Sequence, residues 1–234
     1  MDKIKAVKSI SIWIFVVPFF AINTCLILVT QFHSLFPNPV DIIHNTIPYI
    51  DGKTSISRTA RVFPTYLIFK PAMLLTAFLL IKYWLANKKI IIFINEKDHK
   101  YSKYILFFGL SSAVFLAIHS IFLGIKFDYA IYKLFRRVVL LCFIIFELVA
   151  QTYLVIIFYS FKNKLLNYIN PVYLTCKLIL VSLLIIVAII SVPIVSMPGN
   201  TFLKHALEWN YFVAIISFYL LTHFMWKNPH SHTR

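Results

Sequence analysis

Six uninterrupted apolar runs, near residues 10–29, 66–85, 104–124, 138–158, 172–192 and 205–226, occupy most of the chain. Each is close to the roughly twenty residues that a helix, rising about 1.5 Å per residue, needs to cross about 30 Å of hydrocarbon. A helix with one face in water repeats polar residues every third or fourth position, and these runs do not. A membrane β-barrel alternates in character residue by residue, which the continuous run 178–190 excludes. The pattern predicts an all-α, polytopic integral membrane protein. It is a six-transmembrane-helix bundle forming a single membrane domain over residues 1–234. Function then rests on the polar groups retained inside the spans and on the loops at their ends.

The connections differ in kind. The loop of residues 32–64 is the longest and carries Pro37, Pro39, Pro48 and Pro64. Proline fixes the backbone, so this loop is expected to be ordered over the mouth of the bundle. Residues 86–103 hold the apolar segment 90–94 between basic residues, which suits a helical extension or an interfacial segment. The other connections are short, which predicts antiparallel packing of sequence neighbours. No internal repeat marks an inverted-repeat transporter, and residues 227–234 read as a disordered tail.

Composition narrows the class further. The chain is 60% hydrophobic and 13% charged, so 234 residues leave no room for a separate soluble domain. Its net charge of +15 would suggest nucleic acid in a soluble chain. Here Lys and Arg fall in loops, where they set topology and meet anionic lipid, and no nucleic-acid partner is expected. More of them lie in the termini and in the second and fourth connections than in the other three loops. This places both termini in the cytoplasm. The first run starts with Lys3, Lys5 and Lys8, is too long for a signal h-region, and exits through Thr30, Gln31, Phe32 and His33. It reads as a retained span.

Which residues carry chemistry? The chain has no glycine-rich phosphate loop, no His-Glu-x-x-His and no paired-cysteine spacing, so no cofactor, metal site or catalytic set is assigned. Cys25, Cys142 and Cys176 lie in three different spans and read as packing thiols. His230 and His232 are too few to specify a metal. Glu147 stands out, because a carboxylate near the middle of a span costs about 2.5–3.5 kcal/mol on insertion scales. At 100° per residue it shares a face with Arg136, Leu140, Phe143 and Gln151, and that face must point into the bundle. Glu147 is then either a hydrogen-bond post, bonded to Gln151 or another helix, or part of a lipid pocket or proton path. His119, His205 and Glu208 sit toward the outer ends of their spans. A His with a Glu supports acid–base chemistry, whereas Glu208 beside Trp209 equally suits an interfacial anchor. Lys70 and Lys177 are close enough to span ends to snorkel outward. Gly109, Ala113 and Ala117, with Ser112 and Ser120 nearby, form a small-residue ridge for close helix packing.

The outer basic residues are informative because the topology rule disfavours them there. Arg58, Arg61, Arg136 and Arg137, with His205 and the Ser55 hydroxyl, form a candidate site for an anionic phospholipid headgroup, since the guanidinium fork matches phosphate. The competing reading pairs these arginines with Asp51, Asp128 or interfacial phosphates without specificity.

The same outer loop reads Pro48, Tyr49, Ile50, Asp51, Gly52, and span six carries Glu208 followed by Trp209. On these two patches, and on six spans over nearly the full chain, the protein resembles the Frag/DRAM/Sfk family of six-span membrane proteins. Many members carry a Pro-Tyr-Ile-Ser-type sequence with a nearby Asp and Gly in this loop; the usual Ser and Thr within it are missing here. The resemblance implies a role tied to membrane lipid, as in relatives that remodel the lipid of GPI anchors, and it supplies no catalytic residues. The expectation is a multi-pass membrane protein that binds, senses or helps remodel lipid at the outer leaflet. An intramembrane lipid hydrolase or acyltransferase using His119, His205 or Glu208 stays open. So does a small-solute or proton-coupled transporter using Glu147 and Gln151.

Overall fold

A computed structural model describes residues 2–95, 102–125 and 129–227. Five helices in it are long and apolar enough to cross a membrane: α1 (Asp2–Gln31), α4 (Tyr66–Asn95), α5 (Ser102–Phe122), α6 (Ala130–Ser160) and α8 (Pro171–Ser196). Their β-branched residues would disfavour helix in water. In lipid, however, a helix is the simplest way for a single segment to satisfy every backbone N–H and C=O. The last apolar run folds as α9 (Thr201–Met225), also long. It falls outside the apolar five because Lys204, Glu208, Asn210 and His223 interrupt it.

The six long helices close into a ring. α1 packs on α4, α4 on α5, α5 on α6, α6 on α8, α8 on α9, and α9 returns to α1. Sequence neighbours run antiparallel, as their end contacts show. Lys70 Nζ near the start of α4 donates to Ile121 O near the end of α5 (3.1 Å), and Tyr132 near the start of α6 donates to Phe122 O (2.9 Å). The start of α1 and the end of α9 therefore share one face of the ring, where His223 Nδ1 lies 2.9 Å from Lys8 O. We call this the terminal face and the opposite one the loop face. On the outside, α8 presents Ile179, Ile186 and Ile189, an apolar surface suited to lipid.

The small-residue ridge lies in the α4–α5 contact. The Trp84 ring rests on Gly109, where an added Cβ would meet Trp84 Cγ at 2.4 Å. Ser112 and Ser120 return their hydroxyls to Gly109 O and Leu116 O on the same helix.

The loop of residues 32–64 is folded, and two of its four prolines sit where helical turns begin. Pro39 opens a 3-10 turn capped by Asn38, and Pro48 opens α2 (Pro48–Asp51). A third short helix, α3 (Ile56–Ala60), is capped by Ser55. α2 packs on α9, and α3 packs on α1 and α9. The turn between them depends on Gly52, whose φ of 59° is left-handed, and an added Cβ there would lie 1.7 Å from Phe202 O. Only glycine permits that approach.

At the terminal face, α4 continues to Asn95, which matches the first of the two alternatives, a helical extension, that far. Lys162–Leu165 forms a short helix, α7, after α6. His230, His232 and Asp128 lie outside the described residues. One expectation is corrected here. Lys70 is half-buried and bonded near the loop face, but Lys177 does not snorkel: it is 0% exposed. Its Nζ donates to Thr222 Oγ1 at 2.8 Å and lies 3.9 Å from the centre of the Phe218 ring. The α8 face bearing Lys177 meets α9, and α9 offers a hydroxyl and an aromatic face in place of a route to water.

Candidate functional site

The polar residues of α9 near the loop face turn toward the folded loop. Trp209 Nε1 donates to Thr54 O (2.9 Å), Asn210 Nδ2 donates to Tyr49 O (2.7 Å), and His205 Nδ1 lies 2.9 Å from Gly52 O. Tyr49 stacks edge-on against Trp209 and donates its hydroxyl to Asn23 of α1 at 3.0 Å. Glu208 accepts the backbone N–H groups of Ile56 and Ser57. Ser55 Oγ accepts that of Arg58 at 3.2 Å. Together they satisfy the first donors of α3, which no residue within that helix can reach. The two patches at Pro48–Asp51 plus Gly52 and at Glu208-Trp209, some 150 positions apart in the chain, thus form one contact region.

Beneath α3 this arrangement leaves a pocket of about 90 Å³. Its walls are Phe69 and Met73 of α4, Leu116 of α5, Leu140, Phe143 and Ile144 of α6, and Phe212 and Ile215 of α9. Its polar groups are Ser57, His119, Glu208 and Tyr211. His119 is 9% exposed, its Nδ1 has no partner from the protein, and Arg136 is within electrostatic reach of it. Arg136 Nε is likewise buried and unpartnered, with the guanidinium over the Tyr132 ring. An apolar cavity with a polar end at Ser57, His119, Glu208 and Tyr211 suits the apolar part of an amphiphile whose polar part reaches that end.

A second, smaller cavity of about 20 Å³ shares Met73, Leu116, Phe143, Phe212 and Ile215 with the first and reaches Glu147 and Tyr219. Glu147 is 1% exposed. Its carboxylate accepts from Ser112 Oγ of α5 (2.6 Å), from Gln151 Nε2 one turn on (3.1 Å) and from the Tyr219 hydroxyl of α9. Gln151 Nε2 also reaches Ile215 O at 3.3 Å. Leu140, Phe143, Glu147 and Gln151 do share an inward face, and Arg136 stands at its loop-face end.

The remaining candidates are placed apart. Arg58 and Arg61 are exposed on and just after α3, and Arg137 is exposed on α6. Asp51 makes an ion pair with Lys53 (3.8 Å) and also accepts from Thr46 and from the N–H of Ile47. Ser55 and His205 hold the loop, so each has one function already. His119 and Glu208 share the pocket while His205 is turned away to Gly52. The Ser57 hydroxyl is paired with Ser55 Oγ (3.2 Å). Sequence reasoning passed over Tyr83, Tyr211, Tyr219 and Thr222, and the signal available was their polar tips within apolar runs. Comparison with known proteins adds no relative: no family model, no curated protein and no solved structure matches this chain.

Proposed function

We propose that the chain is a six-span membrane protein with both termini cytoplasmic that binds phospholipid from the outer leaflet. On this reading α9 is the sixth span, and the loop face is the outer one. The observation that carries the reading is the pocket under α3, with apolar walls from four helices and a polar end at Ser57, His119 and Glu208, close to Arg136. Acyl or glycerol carbons occupy the walls. The phosphate meets Arg136, with Arg58, Arg61 and Arg137 supplying further positive charge at the rim. Phosphate is attracted there because the planar guanidinium donors match its oxygens. The resemblance to the Frag/DRAM/Sfk family, with its ties to lipid remodelling, supports the same reading. On this reading the role is binding and presentation of lipid.

The test is native mass spectrometry of phospholipid retained by purified protein. The double variant Arg58→Ala, Arg61→Ala and the single variant Arg136→Ala should each lose anionic lipid while remaining folded. Unchanged retention in both would overturn the site.

A further inference from the structure

Below the pocket, polar groups continue through the bundle to the other face. Glu147 receives the Tyr219 hydroxyl. The Tyr219 and Tyr83 rings are in edge contact, with centroids 4.9 Å apart. Tyr83 OH lies 3.3 Å from Thr222 Oγ1, and Thr222 Oγ1 accepts from Lys177 Nζ at 2.8 Å. Every one of these five side chains is at most 1% exposed. Lys177 lies six residues into α8, about 9 Å of helix from the terminal face. Thr222 is in the last turn of α9. On the loop-face side, Glu147 lines the small cavity that adjoins the His119–Glu208 pocket. Further buried polar atoms without a protein partner accompany this line: His119 Nδ1 above, Gln151 Oε1 at Glu147, and Trp226 Nε1 at the terminal end. Such atoms are usually satisfied by internal water.

A purely structural role accounts poorly for the ends of this line. A hydrogen-bond post needs no ionisable group, and an amide would serve at lower cost. The buried Lys177 amine touches a hydroxyl and a ring, and its partners include no carboxylate. Ionisable groups facing a bundle interior mark ion or proton routes. The cavity at Glu147 has room for about one water.

We propose that Glu147, Tyr219, Tyr83, Thr222 and Lys177 form a proton path along the bundle axis, entered at Glu147 from the loop-face cavities and left at Lys177. The Glu147 carboxylate takes a proton from water in the cavity. The carboxyl passes it to the Tyr219 oxygen as Tyr219 releases its own proton to Tyr83, directly or through one water. Tyr83 gives its proton to Thr222 Oγ1, and the Thr222 hydroxyl, which at rest donates to Phe218 O (2.9 Å), turns to give one to the neutral Lys177 amine. The Lys177 side chain then swings from Thr222 and Phe218 toward the terminal face, where it releases the proton to water. Each hydroxyl ends with the proton count it began with, and its rotor turns back before the next transfer. The net change is one proton moved across. This function is separate from lipid binding and does not rest on it.

The experiment uses the full chain in vesicles of zwitterionic phosphatidylcholine with a trapped pH-sensitive dye, an imposed pH gradient, and valinomycin with potassium for charge balance. Wild type should dissipate the gradient faster than protein-free vesicles. Glu147→Gln, Lys177→Met and Tyr83→Phe should each slow this by at least about tenfold. Tyr83→Phe removes one hydroxyl only, so it decides the matter if the other two variants fold poorly. A wild-type rate equal to that of empty vesicles, or an unchanged rate in Tyr83→Phe, overturns the path.

Discussion

Replacing Glu147 with Leu removes the acceptor shared by three side chains, and the cost depends on which of them finds another. Ser112 retains Gly109 O at 2.9 Å, and Gln151 retains Ile215 O at 3.3 Å. Tyr219 has no second acceptor among its described bonds. The variant therefore loses two interhelical bonds, α5–α6 and α9–α6, and leaves one buried hydroxyl unpaired. Interhelical bonds in membranes average about 0.6 kcal/mol, with a maximum near 1.7, and an orphaned buried donor costs about 1–3 kcal/mol. A loss of about 2–4 kcal/mol follows. The penalty for a carboxyl in lipid is borne when the helix inserts, before the helices pack, so removing it returns little to the association equilibrium. Glu147→Gln keeps an acceptor oxygen and should lose less than about 1 kcal/mol. Equilibrium unfolding in bicelles, followed by steric trapping, measures both. A Glu147→Leu protein as stable as the Gln variant would refute the reasoning.

Three other outcomes are expected. Gly52→Ala forces a Cβ to 1.7 Å from Phe202 O at a left-handed position. It should cost more than about 1 kcal/mol and speed tryptic cleavage after Lys53 several-fold; unchanged cleavage would mean the loop does not depend on this approach. The Asp51 carboxyl is held below its ordinary 3.8: partial burial works against this, but hydrogen bonds from Lys53 N–H, Thr46 and Ile47 N–H and the Lys53 charge outweigh it. Its contribution is therefore full above that ordinary value and lost as pH falls through the lowered one. Hydrogen exchange at Ile47 and Lys53 should accelerate on acidification from about pH 5 to about pH 2, beyond the intrinsic pH effect, and Asp51→Asn should abolish that difference. For topology, a membrane-impermeant thiol reagent applied to intact cells should label a cysteine at exposed Lys53 and spare one at exposed Lys164; the opposite preference would invert the orientation.

How much of this was legible in the sequence depended on the range of the signal. The long helices were readable because apolar runs are local, and the inward face of α6 because 100° per residue brings Arg136, Phe143 and Glu147 into line. α9 was the least apolar run, for a reason visible only in three dimensions. His205, Glu208, Trp209 and Asn210 grip a loop some 150 positions earlier. The prolines announced an ordered loop, but pairing across that separation leaves no local pattern. Lys177 misled because distance from a span end says how far a side chain can reach, and not what stands in its way. Thr222 and Phe218 hold it inside. The arginines were readable as a group by the loops and span ends that carry them. Yet of Arg58, Arg61 and Arg136 only Arg136 is half-buried, within electrostatic reach of His119, whereas Arg58 and Arg61 are exposed on and just after α3.

The most direct measurement is a cryo-electron-microscopy map of the full chain in nanodiscs containing anionic phospholipid. The account predicts amphiphile density between Phe143 and Phe212, with its phosphate within hydrogen-bond reach of Arg136 at the loop face. A pocket beneath α3 filled only by water or by repacked side chains, with lipid confined to the outer surface of the ring, would contradict it.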